Sequence, residues 1–152
     1  ENAMLNETIR IKKLRPDALL PTYGSKDAAG ADLYALTEEA GLCIAPGETA
    51  MVHTGLSIEL PRGFAGLVYA RSGLATKRGL APANKVGVID PDYRGEIMIS
   101  LHNHGNAPAT VHSGERVAQL VITPYLTATF REVDALSDTV RGEGGFGSTG
   151  QK

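Results

Sequence analysis

Glycine and proline interrupt this chain every few residues, and no long helical period develops between them. The runs that survive are short and rich in Val, Ile, Leu and Thr. They are Ile9 to Leu14, Asp32 to Ala35, Met51 to Leu60, Gly63 to Ala70, Val86 to Ile89, Ile97 to His102, Arg116 to Thr123 and Thr127 to Val133. Turn-forming stretches such as PDALLP, APGE, PRG, PDYRG and HSGE separate them. Many short strands joined by regular turns predict an all-β sandwich or barrel. One segment departs from the pattern. In ARSGLATKRGL, Ser72 is placed to cap a short helix running to about Arg78, and Gly79 to stop it.

A length of 152 residues fits one domain, long enough to build a core without staples. Fifteen Lys and Arg against 17 Asp and Glu leave the charge nearly balanced, which argues against wrapping a nucleic-acid duplex. An anion must then be held by a few local groups, or with a metal. Cys43 is the only cysteine, so no internal disulfide forms, in keeping with a reducing compartment. No apolar run approaches membrane-spanning length, and the first residues lack the order of a secretory signal. The expectation is a cytoplasmic protein with neither a nucleic acid nor a membrane as partner. Glu1, Asn2 and Ala3 ahead of Met4 read as an expression remnant. Residues 4–137 read as a single β domain and 138–152 as a glycine-rich C-terminal arm, which by composition alone is a disordered tail.

Several stretches concentrate chemistry. GVIDPDYRGEI sets Asp90, Asp92, Tyr93, Arg94 and Glu96 between strand-forming Val88, Ile89 and Ile97. Such a turn is either a solvated bend or a tool held up by the two strands of a hairpin. Arg71, Ser72 and Gly73 offer a basic group, a hydroxyl and a small residue at a helix start, where free amides attract anions. The simpler reading is an N-cap beside a surface arginine. Asp32, at the head of a strand in AAGADLYA, caps a turn or holds a hydrated metal. In GERVAQLVI, Arg116 and Gln119 are an odd number of residues apart and point to opposite faces of a regular strand. A bulge or an intersubunit site is needed for both to serve one ligand, and a buried Gln119 must find hydrogen-bond partners. His102 and His104 alternate, as two imidazoles on one strand face would, but no third metal ligand is evident. His53 and His112 read as structural.

In the arm, Gly142, Gly144 and Gly147 match G-x-G-x-x-G formally, without the strand and helix a dinucleotide turn requires. Arg141, Phe146, Ser148 and Thr149 among those glycines suit a segment that folds over an anionic ligand. Amides, Arg and hydroxyls approach oxygens there, and Phe covers a flat ring.

The order AGADLYA, RSGLA, GVIDPDYRGEI, GERVAQL, RGEGGFGSTG resembles the five-motif pattern of the trimeric deoxyuridine triphosphatases (dUTPases), from about Ile11 to Gly150. The resemblance implies a β jelly roll that assembles as a homotrimer with active sites shared between subunits. It implies Mg²⁺-assisted hydrolysis of dUTP to dUMP and pyrophosphate, which limits uracil in DNA and supplies dUMP for dTMP synthesis. Under it, Asn84 and the backbone at Gly87 and Met98 bind the uracil edge, and Tyr93 lies against the deoxyribose and rejects a 2′-hydroxyl. Asp90 bonds the sugar 3′-hydroxyl and serves as general base for water attacking the α-phosphorus. Arg71, Ser72, Gly73 and Gln119 receive the phosphates, and Asp32 holds Mg²⁺ through water. From a neighbouring subunit, Phe146 stacks on the base, while Arg141, Gly147, Ser148 and Thr149 grip the terminal phosphate. Arg116 orders the site or interface, and Asp92 and Glu96 are solvated turn charges. A dCTP deaminase of the same fold and a non-catalytic jelly-roll trimer are the alternatives. The former needs an acid beside the base, and Glu96 is the only such acid nearby.

Overall fold

The computed structural model describes residues 6–147 and Gly150. Twelve strands and one helix run in the order β1 (Arg10–Lys13), β2 (Thr22–Tyr23), β3 (Ala31–Tyr34), β4 (Leu42–Ile44), β5 (Thr49–His53), β6 (Leu56–Glu59), β7 (Phe64–Tyr69), α1 (Ser72–Arg78), β8 (Leu80–Pro82), β9 (Gly87–Ile89), β10 (Met98–Asn103), β11 (Ala109–Val111) and β12 (Arg116–Pro124). They form a jelly roll. A five-stranded sheet ordered β2-β3-β12-β7-β9 accompanies a three-stranded sheet ordered β5-β10-β8. The pairs β1-β6 and β11-β4 complete it, and every pairing is antiparallel.

Alternation explains the core. Along β10, Ile99, Leu101 and Asn103 point inward while Met98 points out. Leu33, Val52, Leu56, Ile44, Leu80, Val111, Val117 and Leu120 converge from the other strands into one cluster. Asn103 is one of the polar exceptions, fully buried at the end of β10. Its amide donates to the carbonyls of Ile44 and Ala107, at 2.8 and 2.9 Å, and its side-chain oxygen accepts from the Gly105 N–H at 2.9 Å. With those partners a buried amide is tolerated.

Sequence and structure differ at several points. The run from Met51 to Leu60 is two strands, because Thr54 and Gly55 turn a corner and Gly55 takes a left-handed φ of 69°. Strands β2, β4, β8 and β11 have two or three residues each, too few to show a period. The cap of α1 is Arg71, with φ −96° and no side-chain cap bond, so Ser72 is the first helical residue and not its cap. Gly79 ends the helix in the left-handed conformation, as expected, behind Lys77 and Arg78, which suit the negative end of the dipole. Thr127 to Val133 is no strand: past Tyr125, whose N–H donates to the Gly63 carbonyl at 2.9 Å, the described residues pair with no strand, and Leu126 and Phe130 are almost fully exposed.

The chemistry-rich stretch is not a hairpin either. Strand β9 pairs with β7 in the larger sheet, and β10 pairs with β5 and β8 in the smaller one. Residues 90–97 therefore cross between sheets. Their far end is fastened to the corner between β5 and β6. The buried Thr54 hydroxyl donates to the Ile97 carbonyl at 2.6 Å and accepts from the Leu56 N–H at 3.3 Å. The Ile97 N–H donates to the Leu56 carbonyl at 2.7 Å, and the Ser57 hydroxyl donates to the Arg94 carbonyl at 2.6 Å.

Thr54→Val keeps the shape of this corner but leaves two buried backbone groups short of a partner. We expect it to destabilise the fold by about 1–3 kcal/mol in denaturant unfolding at fixed protein concentration, with Thr54→Ser close to the parent. Equal stability of the valine and serine variants would remove the hydroxyl from this role.

Candidate active site

Two clefts gather the residues singled out above. The first, of about 290 Å³, is lined by Asn84, Gly87, Asp90, Tyr93 and Met98 together with Met51, Val68, Glu96 and Ser100. It exists because the sheets part here. Strand β9 has a strand partner on one flank only. Strand β8 pairs with residues 101–103, so ahead of Leu101 β10 has its strand partner, β5, on the other flank. Two backbone edges thus face a common space, with hydrogen-bonding groups of the kind a flat heterocycle can pair with. The lip is the turn at Asn84. There Ala83 N–H donates to the Ser100 carbonyl at 2.7 Å, Lys85 has a φ of 67°, and Asn84 is exposed.

Asp90 lies where β9 ends, and its carbonyl accepts from the Tyr93 N–H at 3.1 Å, closing the turn. Among the described residues its carboxylate enters no ion pair. Arg94 is bound inside the crossover: it donates to the Pro91 carbonyl at 2.6 Å and pairs with Glu59 at 3.3 Å. Asp92 is exposed, as expected of a solvated turn charge. Glu96 is not. Its side chain is only 22% exposed, and its carboxylate accepts from His53 Nδ1 at 2.6 Å. The expectation of a solvated charge at Glu96 is corrected on this point: the β5 strand carries His53 to within reach. The pairing also gives His53 a role that sequence left as generic structure.

The second cleft is lined by Gly24, Ala28, Gly30, Asp32, Arg71, Ser72, Gly73 and Gln119. It is built on β3 and β12. Gln119 faces Asp32 across the ladder and Arg116 faces Tyr34, with a register shift between Arg116 and Ala118. That bulge absorbs one residue, leaves Val117 and Ala118 both buried, and returns Arg116 to the face that carries Gln119. The odd spacing is thereby reconciled within one chain.

Charge in this cleft is tightly arranged. Asp32 Oδ1 accepts from Arg71 Nε at 2.8 Å, and Oδ2 lies 3.7 Å from Arg116 Nη1. The carboxylate is only 12% exposed, so the two guanidinium groups compensate a charge that is largely removed from water. Arg71 spends its Nε on Asp32, which leaves the Nη groups of its fork for an anion. Gln119 donates to the Ala70 carbonyl at 2.8 Å, bracing the residue ahead of Arg71. Gly30 carries no chemistry of its own to mark it in the sequence. A Cβ there would come within 2.5 Å of the Gln119 side-chain oxygen and 3.2 Å of its Cβ and Cδ, so glycine lets Gln119 pack in its present rotamer without moving. Its place in AAGAD, directly before the strand, was the available signal.

The structure does not bring everything together. The two clefts share no lining residue. Arg141 curls back on its own segment, donating to the Gly144 carbonyl at 2.7 Å, and Phe146, with φ 50°, is fully exposed. Gly147 also has a positive φ, 85°. Ser148 and Thr149 lie outside the described residues. His102 and His104 take separate partners, Thr49 Oγ1 at 2.9 Å and the Ala75 carbonyl at 3.2 Å. Among the described residues no group of three or more His, Cys, Asp or Glu is placed to hold a metal. No helix there is long and apolar enough to cross a membrane.

Comparison with known proteins identifies the family. The deoxyuridine 5′-triphosphate nucleotidohydrolase of Escherichia phage T5 is 50% identical over 149 residues, covering 95% of this chain and 99% of the relative. The enzyme of the same name from Nautilia profundicola is 47% identical over 143 residues, covering 94% and 99%. Among solved structures, a mutant dUTPase of Staphylococcus bacteriophage 80alpha with dUpNHpp superposes with a TM-score of 0.88 at 28% identity. That match covers 96% of this chain and all of that one. The family model for dUTPase matches residues 17–150, from the turn after β1 through both clefts to the arm, and the chain belongs to the dUTPase family.

Proposed function

We propose that this chain hydrolyses dUTP to dUMP and pyrophosphate, with the 290 Å³ cleft as the nucleoside pocket and the Arg71 cleft as the phosphate seat. The observation that carries the reading is that Asn84, Gly87, Asp90, Tyr93 and Met98 line one cleft between two open strand edges. Asn84 and the backbone at Gly87 and Met98 bind the uracil edge. Tyr93 lies against the deoxyribose, where a 2′-hydroxyl would collide with the ring, so UTP is rejected by shape. Asp90 bonds the 3′-hydroxyl and takes a proton from the attacking water, which its unpaired carboxylate is free to do. The role of Glu96 supports hydrolysis over deamination, because the acid a deaminase would use beside the base is engaged by His53.

Arg71, Ser72, Gly73 and Gln119 receive the triphosphate. Asp32 suits a magnesium ion held mostly by phosphate oxygens and water, since among the described residues one shielded carboxylate is the only acid lining that cleft. When bound, Mg²⁺ spreads charge off the triphosphate oxygens and the leaving pyrophosphate. Arg116 orients Asp32 and does not touch substrate. Arg141, Gly147, Ser148 and Thr149 grip the terminal phosphate, and Phe146 covers the base.

The working enzyme is a homotrimer. Its support in a single chain is the absence of any shared lining residue between the clefts, together with apolar side chains on the arm that find no cover. A neighbour supplies the arm. The cytoplasm suits the one exposed cysteine, Cys43.

The direct test is pyrophosphate release from dUTP, UTP, dTTP and dCTP with and without Mg²⁺. We expect turnover with dUTP and Mg²⁺ and little with the others; equal rates on UTP would overturn the sugar reading. Asp90→Asn should lower kcat by about 10²–10⁴-fold while dUTP affinity stays near the parent value, measured by calorimetry. Near-parental turnover would remove Asp90 as base. A chain shortened after Val140 should fold and assemble normally but turn over poorly, because water is no longer excluded. Normal kcat in that variant would end the proposed role of the arm.

A further inference from the structure

We propose that His53 and Glu96 act as a pair of positioning residues for Tyr93, and so set how strictly the site rejects a 2′-hydroxyl. The inference rests on the reading of Tyr93 as the sugar contact. The Tyr93 hydroxyl donates to the Glu96 carbonyl at 2.8 Å. Its ring folds back over Gly95, where a Cβ would run into the hydroxyl and the ring edge. The tip of the ring is therefore fastened to backbone, and the ring can only be as well placed as the peptide carrying that carbonyl.

That peptide is the weak point of the crossover. The Arg94 carbonyl is held by Ser57, and both backbone groups of Ile97 are held by Leu56 and Thr54. Gly95 and Glu96 lie between these staples, and glycine has the widest backbone freedom of any residue. What fixes the segment is the Glu96 side chain, whose carboxylate accepts from His53 Nδ1 at 2.6 Å. The anchor is firm. His53 sits opposite Met98 in the β5-β10 ladder, and its carbonyl accepts from the Leu36 N–H at 2.8 Å. A tether thus runs from the ring through the Glu96 peptide to a strand clamped on both sides. The His53 side chain is 55% exposed, so the pair adds little to global stability. Its effect is geometric, and rejection by shape depends on where the ring stands.

The test measures kcat and KM for dUTP and UTP in the full chain, its His53→Ala, Glu96→Ala and Glu96→Gln variants, and the double alanine variant. Thermal unfolding at fixed concentration accompanies each. The ratio of kcat/KM for dUTP over UTP should fall about fivefold to tenfold in each single alanine variant, the size of one net hydrogen bond. The loss should come mainly from faster UTP turnover. The double variant should fall no further, since the two residues act as one unit. Glu96→Gln, whose side-chain oxygen still accepts from His53, should keep a ratio near the parent. If an alanine variant unfolds, Glu96→Met, which keeps length without the acceptor, is read in the same way. An unchanged ratio, a parallel fall for both nucleotides, or additive losses in the double variant would each overturn the pairing role. A parent protein that does not prefer dUTP to UTP would overturn the sugar reading itself, before any variant is compared.

Discussion

The hydroxyl of Thr54 is the contact on which the proposed nucleoside cleft depends. It is fully buried and serves the Leu56 N–H and the Ile97 carbonyl at once. A cleft between two sheets needs those sheets to part at one end and stay joined at the other. Residues 90–97 span the parting, leaving β9 in the five-stranded sheet and entering β10 in the three-stranded one. A loop between sheets has no ladder to keep it still, so its position comes from point contacts. Thr54, Leu56 and Ser57 supply them along one short corner, and an unmade bond in that buried setting costs about as much as a large fraction of a domain's net stability. Gly55 permits the corner: its left-handed φ turns the chain, and a Cβ would press on Leu36 and Ala18.

The cleft proposed as the phosphate seat solves a different problem, holding positive charge ready without wasting it. Two arginines facing an empty cleft would repel each other and sample many rotamers. Asp32 between them fixes both, and its own burial is tolerable because both oxygens face cations. Arg71 binds Asp32 through Nε, which orients the rest of the fork toward the cleft. The β-bulge in β12 makes this possible, since without it Arg116 would face away from Asp32. Arranging donors before the ligand arrives is what makes electrostatic catalysis effective, because little reorganisation remains for the reaction itself.

The sequence carried the strands and the family motifs, and the structure explains where its signal ended. Strands β7, β10 and β12, six to nine residues long, were long enough for their Val-, Ile- and Leu-rich composition to show, and Gly79 stopped the helix as glycine does. Strands of two or three residues left no period, and the split at Gly55 was hidden inside an apolar run. Residues assigned a direct ligand contact in the proposed function, such as Asp90 and Tyr93, stood out by type. Those that act by holding another group did not. His53 looked like any isolated histidine until β5 placed it against Glu96, and Gly30 mattered only once Gln119 was known to pack on it. Partners 43 and 89 residues apart leave no local mark in a single sequence.

The arm follows from the same reasoning about unmet needs. Beyond Pro124 the segment leading to the arm carries Leu126, Phe130 and Leu136, and the arm itself Val140 and Phe146, all nearly or wholly exposed. Each is worth about 1.5–3 kcal/mol when buried. A chain that keeps such side chains in water has a use for them elsewhere. On the trimeric reading, that use is the neighbour's surface, and the two clefts that share no residue within one chain are completed across the same boundary. Covering the arm and completing the site then become one event. The glycines at 142, 144, 145 and 147 suit a segment that must dock without a fixed shape of its own, since they meet little steric resistance to the conformations docking demands. The cost is the entropy of ordering them, which the burial of the arm's apolar side chains and the triphosphate contacts together must exceed.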